Sequence, residues 1–374
     1  MRKPVFLVSA ILILLQGCHG AQPRDQLINH TAAPDSQEVY FEKTEPLSEQ
    51  EVISRVDEQY EQYDHVGLRM SRPTGQQDYY VDVEDMSKID DDDGEKIVVL
   101  QYTNKKDASD FGYIWFPLSE QNDSIPGRIT VNDGKIPDDI DPEDEYFLNP
   151  DFYIDPSAPS FTFINNEQDG TINISGQRVD QYGNTSDIAF TFDPSLANFG
   201  TSTITVNENK REASLTGTLG AKTYRQIEQV ADKIDTLYLV DVPGSINDEV
   251  NMHTGSLIRD HKITTVVPKG SLVASGGVDL FSAGFKRRLQ KGGQLHVHSW
   301  CGTDEDGDNV IQAGSLPRDD KEHWAQLTYF DKMLGKKDGP AFYFYTIYSA
   351  KCENTHLMST DEVLKYHLAT EIFE

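Results

Sequence analysis

The spacing of apolar residues changes period part-way along the chain. Between about residues 79 and 207, apolar and polar positions alternate in short runs at 79–83, 96–103, 113–116, 161–164, 171–175, 188–192 and 202–206. Side chains alternate faces along a strand, so a period of two predicts half-buried β-strands. Asn132-Asp133-Gly134, Gln168-Asp169-Gly170 and Tyr182-Gly183-Asn184 offer turn chemistry between several of them, which predicts a mainly antiparallel β domain. Residues 138–156, rich in Asp and Pro, read as a long exposed loop within it. Residues 47–66 precede the strands and read as a helix, with Glu49 to Glu51 leading into Val52, Ile53 and Val56.

Past Arg211 the pattern becomes strand, helix, strand, helix, an α/β signature. A strand at 213–219 is followed by Tyr224, Ile227, Val230 and Ala231 at helical spacing. Residues 236–242 are nearly all apolar, as expected of a strand covered on both faces. Ile246, Val250, Leu257 and Ile258 then form one helical stripe, and further strands are predicted at 263–267, 272–274 and 295–298. Ser359-x-x-Glu362 is a capping box that starts a short helix. Period does not distinguish helix from strand in residues 341–347. Trp324, Leu327 and Phe330, with the Phe342 to Tyr345 run, read as core or subunit contact.

The first residues belong to targeting rather than to the fold. Met1-Arg2-Lys3 and the apolar run through Leu15 have the charged and hydrophobic regions of a secretory signal, too short for a comfortable membrane span. Leu15-Gln16-Gly17-Cys18 resembles a bacterial lipobox, which predicts cleavage after residue 17 and a lipid on Cys18. The other outcome is ordinary secretory cleavage a few residues later. Both place the protein outside the cytoplasm. His19, where an aspartate would argue for inner-membrane retention, points to the periplasmic face of the outer membrane. Residues 18–46 are polar and aperiodic, suited to a flexible tether.

Removing Arg2 and Lys3 from the 33 basic residues leaves 31 against 62 acidic ones, so the net charge moves from -29 to -31. Such a surface repels phosphate backbones and anionic lipid, so no nucleic acid is expected as partner and membrane contact is expected through the lipid alone. With Cys18 acylated, Cys301 and Cys352 remain, and an oxidising compartment permits them to join. The other possibility is two unconnected apolar fillers.

Candidate chemistry concentrates between residues 237 and 300. Ser275 falls where a strand ends and a helix begins, a place whose first amides have no internal partner. The amide of Gly276, which carries no Cβ, and that of Ser245, after the Pro243-Gly244 turn, are placed to hold a developing oxyanion. A serine needs a base to take its proton. His298, 23 residues on, is the choice, with His296 in reserve on the same side of the strand by alternation. A satisfied histidine at a strand end is the competing account.

These residues carry a family resemblance. Ala274-Ser275-x-Gly277 through Ala283-Gly284 resembles the nucleophile segment of the Clp protease proteolytic subunit, within the ClpP/crotonase-like superfamily. Residues 237–245 resemble its oxyanion loop, and His296-Val297-His298-Ser299 its histidine segment. Met358-Ser359-Thr360-Asp361-Glu362-Val363 and Tyr366 resemble its C-terminal stretch. The resemblance covers about residues 211–374. It implies a spiral of βαβ units, a Ser-His-acid acyl-enzyme mechanism, and assembly as trimers or larger rings. The position of the triad aspartate falls at Thr355, which leaves Glu353, Asn354 and Asp361 as candidates to orient His298. His367 stands where the family has glycine and implies a changed turn.

Asp304-x-Asp306-x-Asp308 has oxygen-ligand spacing for calcium but lacks the glycine and glutamate of a binding loop, and Asp90 to Asp93 reads as a solvated turn. No metal site or cofactor is expected. The sequence therefore predicts a signal peptide at 1–17, a tether at 18–46, a helix plus β-rich domain at 47–210 and a ClpP/crotonase-like domain at 211–374. The expected activity is that of a lipid-anchored periplasmic serine hydrolase acting on peptide or another acyl bond. A non-catalytic envelope binding protein is the rival.

Overall fold

A computed structural model describes residues 40–88, 95–119, 129–134, 151–166, 168–303 and 310–374. The signal, Cys18, most of the tether, the Asp90 run, the Asp304 run and most of the 138–156 stretch lie outside them. The described chain divides into two compact units, residues 57–201 and residues 40–56 with 202–374. Helix α1 (Glu49–Tyr63) spans one of the two boundaries.

The first unit is built from β1 (Gly67–Arg72), β2 (Gly75–Lys88), β3 (Glu95–Asn104), β4 (Phe111–Ser119), β5 (Ile129–Asp133), β6 (Phe152–Ile154), β7 (Thr162–Asn165), β8 (Ile172–Asp180) and β9 (Thr185–Phe192). They pair antiparallel in the order β6-β5-β4-β3-β2-β1-β9-β8-β7. β6 also pairs with β8, Tyr153 opposite Val179, so eight strands close into a barrel and β7 extends from β8. Closure removes the exposed edges an open sheet would leave. Inward residues such as Met70, Val81, Leu100, Ile114, Val131 and Phe190 fill it. β1, β5 and β6 are too short or too irregular in period to be read from the sequence, and β6 lies inside the stretch expected to be loop.

The second unit contains β10 (Thr203–Asn207), β11 (Glu212–Thr216), α2 (Ala221–Val230), β12 (Thr236–Leu239), α3 (Asp248–Asp260), β13 (Thr264–Val267), β14 (Leu272–Ala274), α4 (Gly276–Ser282), β15 (Arg287–Gln290) and β16 (Gln294–Val297). It continues through β17 (Cys301–Thr303), β18 (Val310–Gln312), α5 (Trp324–Leu334), α6 (Asp338–Ser349), β19 (His356–Leu357), α7 (Thr360–Lys365) and β20 (Glu371–Phe373). One sheet has the order β10-β11-β12-β13-β15-β20, parallel except for β10. A second has the order β14-β16-β19, and Val242 bridges to Val273 beside it. Successive strands thus alternate between two sheets: β13 then β14, β15 then β16. This is a mixed α/β architecture of repeated strand-strand-helix units. Their shared core includes Leu237, Val242, Val273, Phe281, Leu295, Phe330 and Phe342.

Residues 341–347 resolve as helix α6, whose Phe342, Tyr343 and Phe344 are buried in that core. The Ser359 capping box forms with both of its hydrogen bonds at the start of α7. At the end of α7, His367 adopts φ 49°, a left-handed turn of the kind that favours glycine, and its Nδ1 lies 2.8 Å from Asp338. Cys301 and Cys352 are joined, with Cα atoms 5.9 Å apart.

Candidate active site

Ser275 sits between β14 and α4 with φ 50° and ψ -128°, a combination that costs a non-glycine residue about 1–3 kcal/mol. The neighbouring structure holds it there. Its amide donates to the His296 carbonyl at 3.0 Å, and its carbonyl accepts from the Val278 amide at 2.8 Å. The side chain is half-buried. A strained residue between a strand and a helix is the kind of turn on which serine nucleophiles are presented.

The Gly244-Ser245 loop lies against it. Leu219 donates to the Gly244 carbonyl at 2.9 Å and accepts from the Ile246 amide at 3.0 Å, which pins the loop to the segment between β11 and α2. A Cβ built on Gly244 would stand 3.2 Å from the Ser275 Cβ. A Cβ on Gly276 would stand 2.4 Å from the Ser245 Cβ and 3.1 Å from the Ser245 amide nitrogen, so any side chain at 276 would displace the loop. Among the described residues neither the Ser245 amide nor the Gly276 amide donates a hydrogen bond. Two unspent main-chain donors therefore flank the serine.

His298 follows the last residue of β16 and is 6% exposed. Its Nδ1 lies 2.6 Å from the Ser299 carbonyl. A carbonyl only accepts, so Nδ1 carries the proton and Nε2 keeps its lone pair, the tautomer a general base needs. Burial holds its pKa below the ordinary histidine value, partly offset by the Ser299 carbonyl. Nε2 is buried and has no hydrogen-bond partner, so no bond to Ser275 is formed in this state.

The remaining candidates separate. Thr355 Oγ1 lies 3.2 Å from His296 Nδ1, so the residue at the aspartate position contacts the reserve histidine. His296 Nε2 lies 3.1 Å from Gln294 Oε1, and its pKa is lowered by burial and then by His356. Glu353 is exposed and accepts from Gln312 at 2.9 Å, and Asn354 and Asp361 are exposed. None of the three bonds His298, whose Nδ1 is occupied by a main-chain carbonyl. A main-chain acceptor carries no side-chain signature, which is why sequence alone could not propose it. The segment is tied down from behind: the Ser299 amide donates to Ala350 at 2.8 Å, next to the Cys301–Cys352 bridge. Among the described residues no cluster of His, Cys, Asp and Glu has the geometry to hold a metal ion.

Two acids beside Ser275 had no assigned part in the sequence argument. Asp248 opens α3 and is pushed up to about 6 by burial, against a hydrogen bond from the Ser245 hydroxyl. Asp279, in α4, is pushed well above the carboxylate range by burial and then by the charge of Asp248. Both types are visible in the sequence, but not the helix faces that bring them together.

No model of a known protein family matches the sequence, and no curated protein does either. Among solved structures, the chain is similar to the 1510-N membrane-bound stomatin-specific protease in complex with a substrate peptide, at 18% identity over 42% of this chain and 72% of that one, TM-score 0.32. It is also similar to the ClpP protease catalytic domain from Plasmodium falciparum, at 16% identity over 44% and 86%, TM-score 0.32. A third is an enoyl-CoA hydratase from Bacillus anthracis, at 10% identity over 46% and 69%, TM-score 0.28.

Proposed function

We propose that this chain is a lipid-anchored, extracytoplasmic serine hydrolase with peptidase-like chemistry, of the ClpP/crotonase type its motifs resemble. The supporting observation is Ser275 on a strained turn with the free amides of Ser245 and Gly276 beside it. In this reading the Ser275 hydroxyl attacks an acyl carbon while His298 Nε2 accepts its proton, and the two amides stabilise the oxyanion. The proton passes to the leaving group as the acyl-enzyme forms, and water activated by the same histidine releases the acid. The Ser299 carbonyl orients the base in place of an acid. Each oxyanion donor is worth about 3–4 kcal/mol in the transition state. Association into trimers or rings belongs to the same proposal. A fluorophosphonate probe should label the wild type and not Ser275→Ala; equal labelling of both removes Ser275 from this role.

Two observations favour a second reading, a non-catalytic envelope binding protein on the same scaffold: His298 Nε2 does not reach Ser275, and the aspartate position holds Thr355. That reading requires His298→Ala to leave the cellular phenotype intact while removal of residues 79–207 abolishes it.

A further inference from the structure

The seam between α3 and α4, next to Ser275, holds one buried acceptor without a donor, Asn251 Oδ1, and two carboxyl groups that act on each other. Asp248 and Asn251 are three residues apart on α3 and share a face. Asn251 is 2% exposed; its Nδ2 donates to the Gly276 carbonyl at 2.9 Å, which fixes the amide against the first turn of α4. That fixed orientation leaves Asn251 Oδ1 buried in the seam with no partner. Asp279 lies three residues after Gly276, on the face of α4 that Asn251 meets, and feels the charge of Asp248 directly. Burial and that charge are what act on its carboxyl. The Ser245 hydroxyl accepts from the Asn247 amide at 3.1 Å and works against the rise in the Asp248 pKa.

An unpaired buried acceptor costs about 1–3 kcal/mol, and two half-buried carboxylates close to one another oppose each other's ionisation. A cationic group with several N–H donors relieves both at once. Two arginines of the same unit bond other acceptors through their terminal nitrogens. Arg259 donates to the Ser282 and Met333 carbonyls, and Arg55 to Glu249. We infer that the α3–α4 seam is a subsite for a cationic substrate side chain, lysine or arginine, received by Asp248, Asp279 and Asn251 beside the Ser275 hydroxyl. The assignment of this side chain to the residue at the scissile bond rests on Ser275 being the nucleophile; the binding does not.

The test is calorimetric binding of Nα-acetyl-lysine methylamide and of its uncharged isostere Nα-acetyl-norleucine methylamide to the full chain and to Ser275→Ala. The lysine probe should bind about tenfold more tightly to both, as charge-assisted hydrogen bonds require. Asp279→Asn and, separately, Asp248→Asn should reduce it to the level of the norleucine probe, with circular dichroism confirming the fold. Equal binding of the two probes to the wild type, including none by either, overturns the subsite. A lysine preference that survives both substitutions overturns it too. Fluorophosphonate labelling is read separately: its absence defeats the nucleophile assignment while lysine-selective binding stands.

Discussion

At the scale of the residue, the proposed chemistry rests on how burial and main-chain geometry prepare two side chains. Ser275 is held at positive φ by the His296 carbonyl and the Val278 amide. His298 is held as the Nδ1–H tautomer by the Ser299 carbonyl, and burial lowers its pKa. A base works only when neutral, so a lowered pKa moves loss of activity to more acidic pH. The rate of fluorophosphonate labelling between pH 5 and 8 should therefore fall to half below pH 6.5, the ordinary histidine value. A half-point above pH 7 would mean that a carboxylate, not a main-chain carbonyl, partners the ring. Ser275, Ser245, Gly276 and His298 could be put forward from the sequence because a serine after a strand and a glycine after it have few other uses in that order; their roles are part of the proposal. Ser299 was not, since what it contributes is an atom every residue possesses. The Asp248 and Asp279 pair was hidden for another reason. Each is an ordinary acid in the first turn of a helix, and their meeting depends on how two helices pack.

At the scale of the element, period was most informative where burial is one-sided and strands are long. The alternation at 96–103 found β3, and the stripe through Val250 and Ile258 found α3. It failed for β15, where Arg287 occupies a buried position that a hydrophobic pattern cannot anticipate. That guanidinium donates to the Leu368, Gly284 and His367 carbonyls, which replaces the water it lost, and burial followed by Arg259 brings its pKa down to about 10. The Cys301–Cys352 bridge links β17 to the end of α6 across 51 residues and stands directly behind the His298 segment. Loop closure of that length limits the unfolded chain by about 4 kcal/mol at most. Replacing both cysteines by serine should lower Tm by roughly 5–10 °C in a scan of the intact chain. It should also slow labelling at Ser275, because the histidine segment loses its tether. A Tm unchanged within error, together with unchanged labelling, would show that hydrogen bonds such as that from Ser299 to Ala350 hold the segment unaided.

At the scale of the whole molecule, an acidic chain of net charge -29 joins a closed β-barrel unit to an α/β unit, behind a segment that reads as a lipoprotein signal. Among the described residues no helix is long and apolar enough to cross a membrane, so the proposed attachment rests on Cys18. One acyl chain binds a bilayer only reversibly, and stable anchoring takes two hydrophobic signals or more. Residues 19–46 carry only Arg24 and Lys43 as cations and so offer no polybasic second signal, which makes multiple acylation of one residue the physical requirement of the proposed anchor. Cells fed labelled palmitate should therefore incorporate it into the wild type and not into Cys18→Ser, and the variant should leave the membrane fraction. Incorporation into neither would place cleavage beyond Cys18 and make the protein a free secreted one. The proposed export bears on folding as well, since the bridge behind His298 needs an oxidising compartment. A chain lacking residues 2–17 stays in reducing surroundings, and Cys301 and Cys352 should then both react with maleimide after denaturation. In the proposed reading, targeting, disulfide and histidine form one dependency: a chain that missed export would lose the covalent support of the base assigned to it.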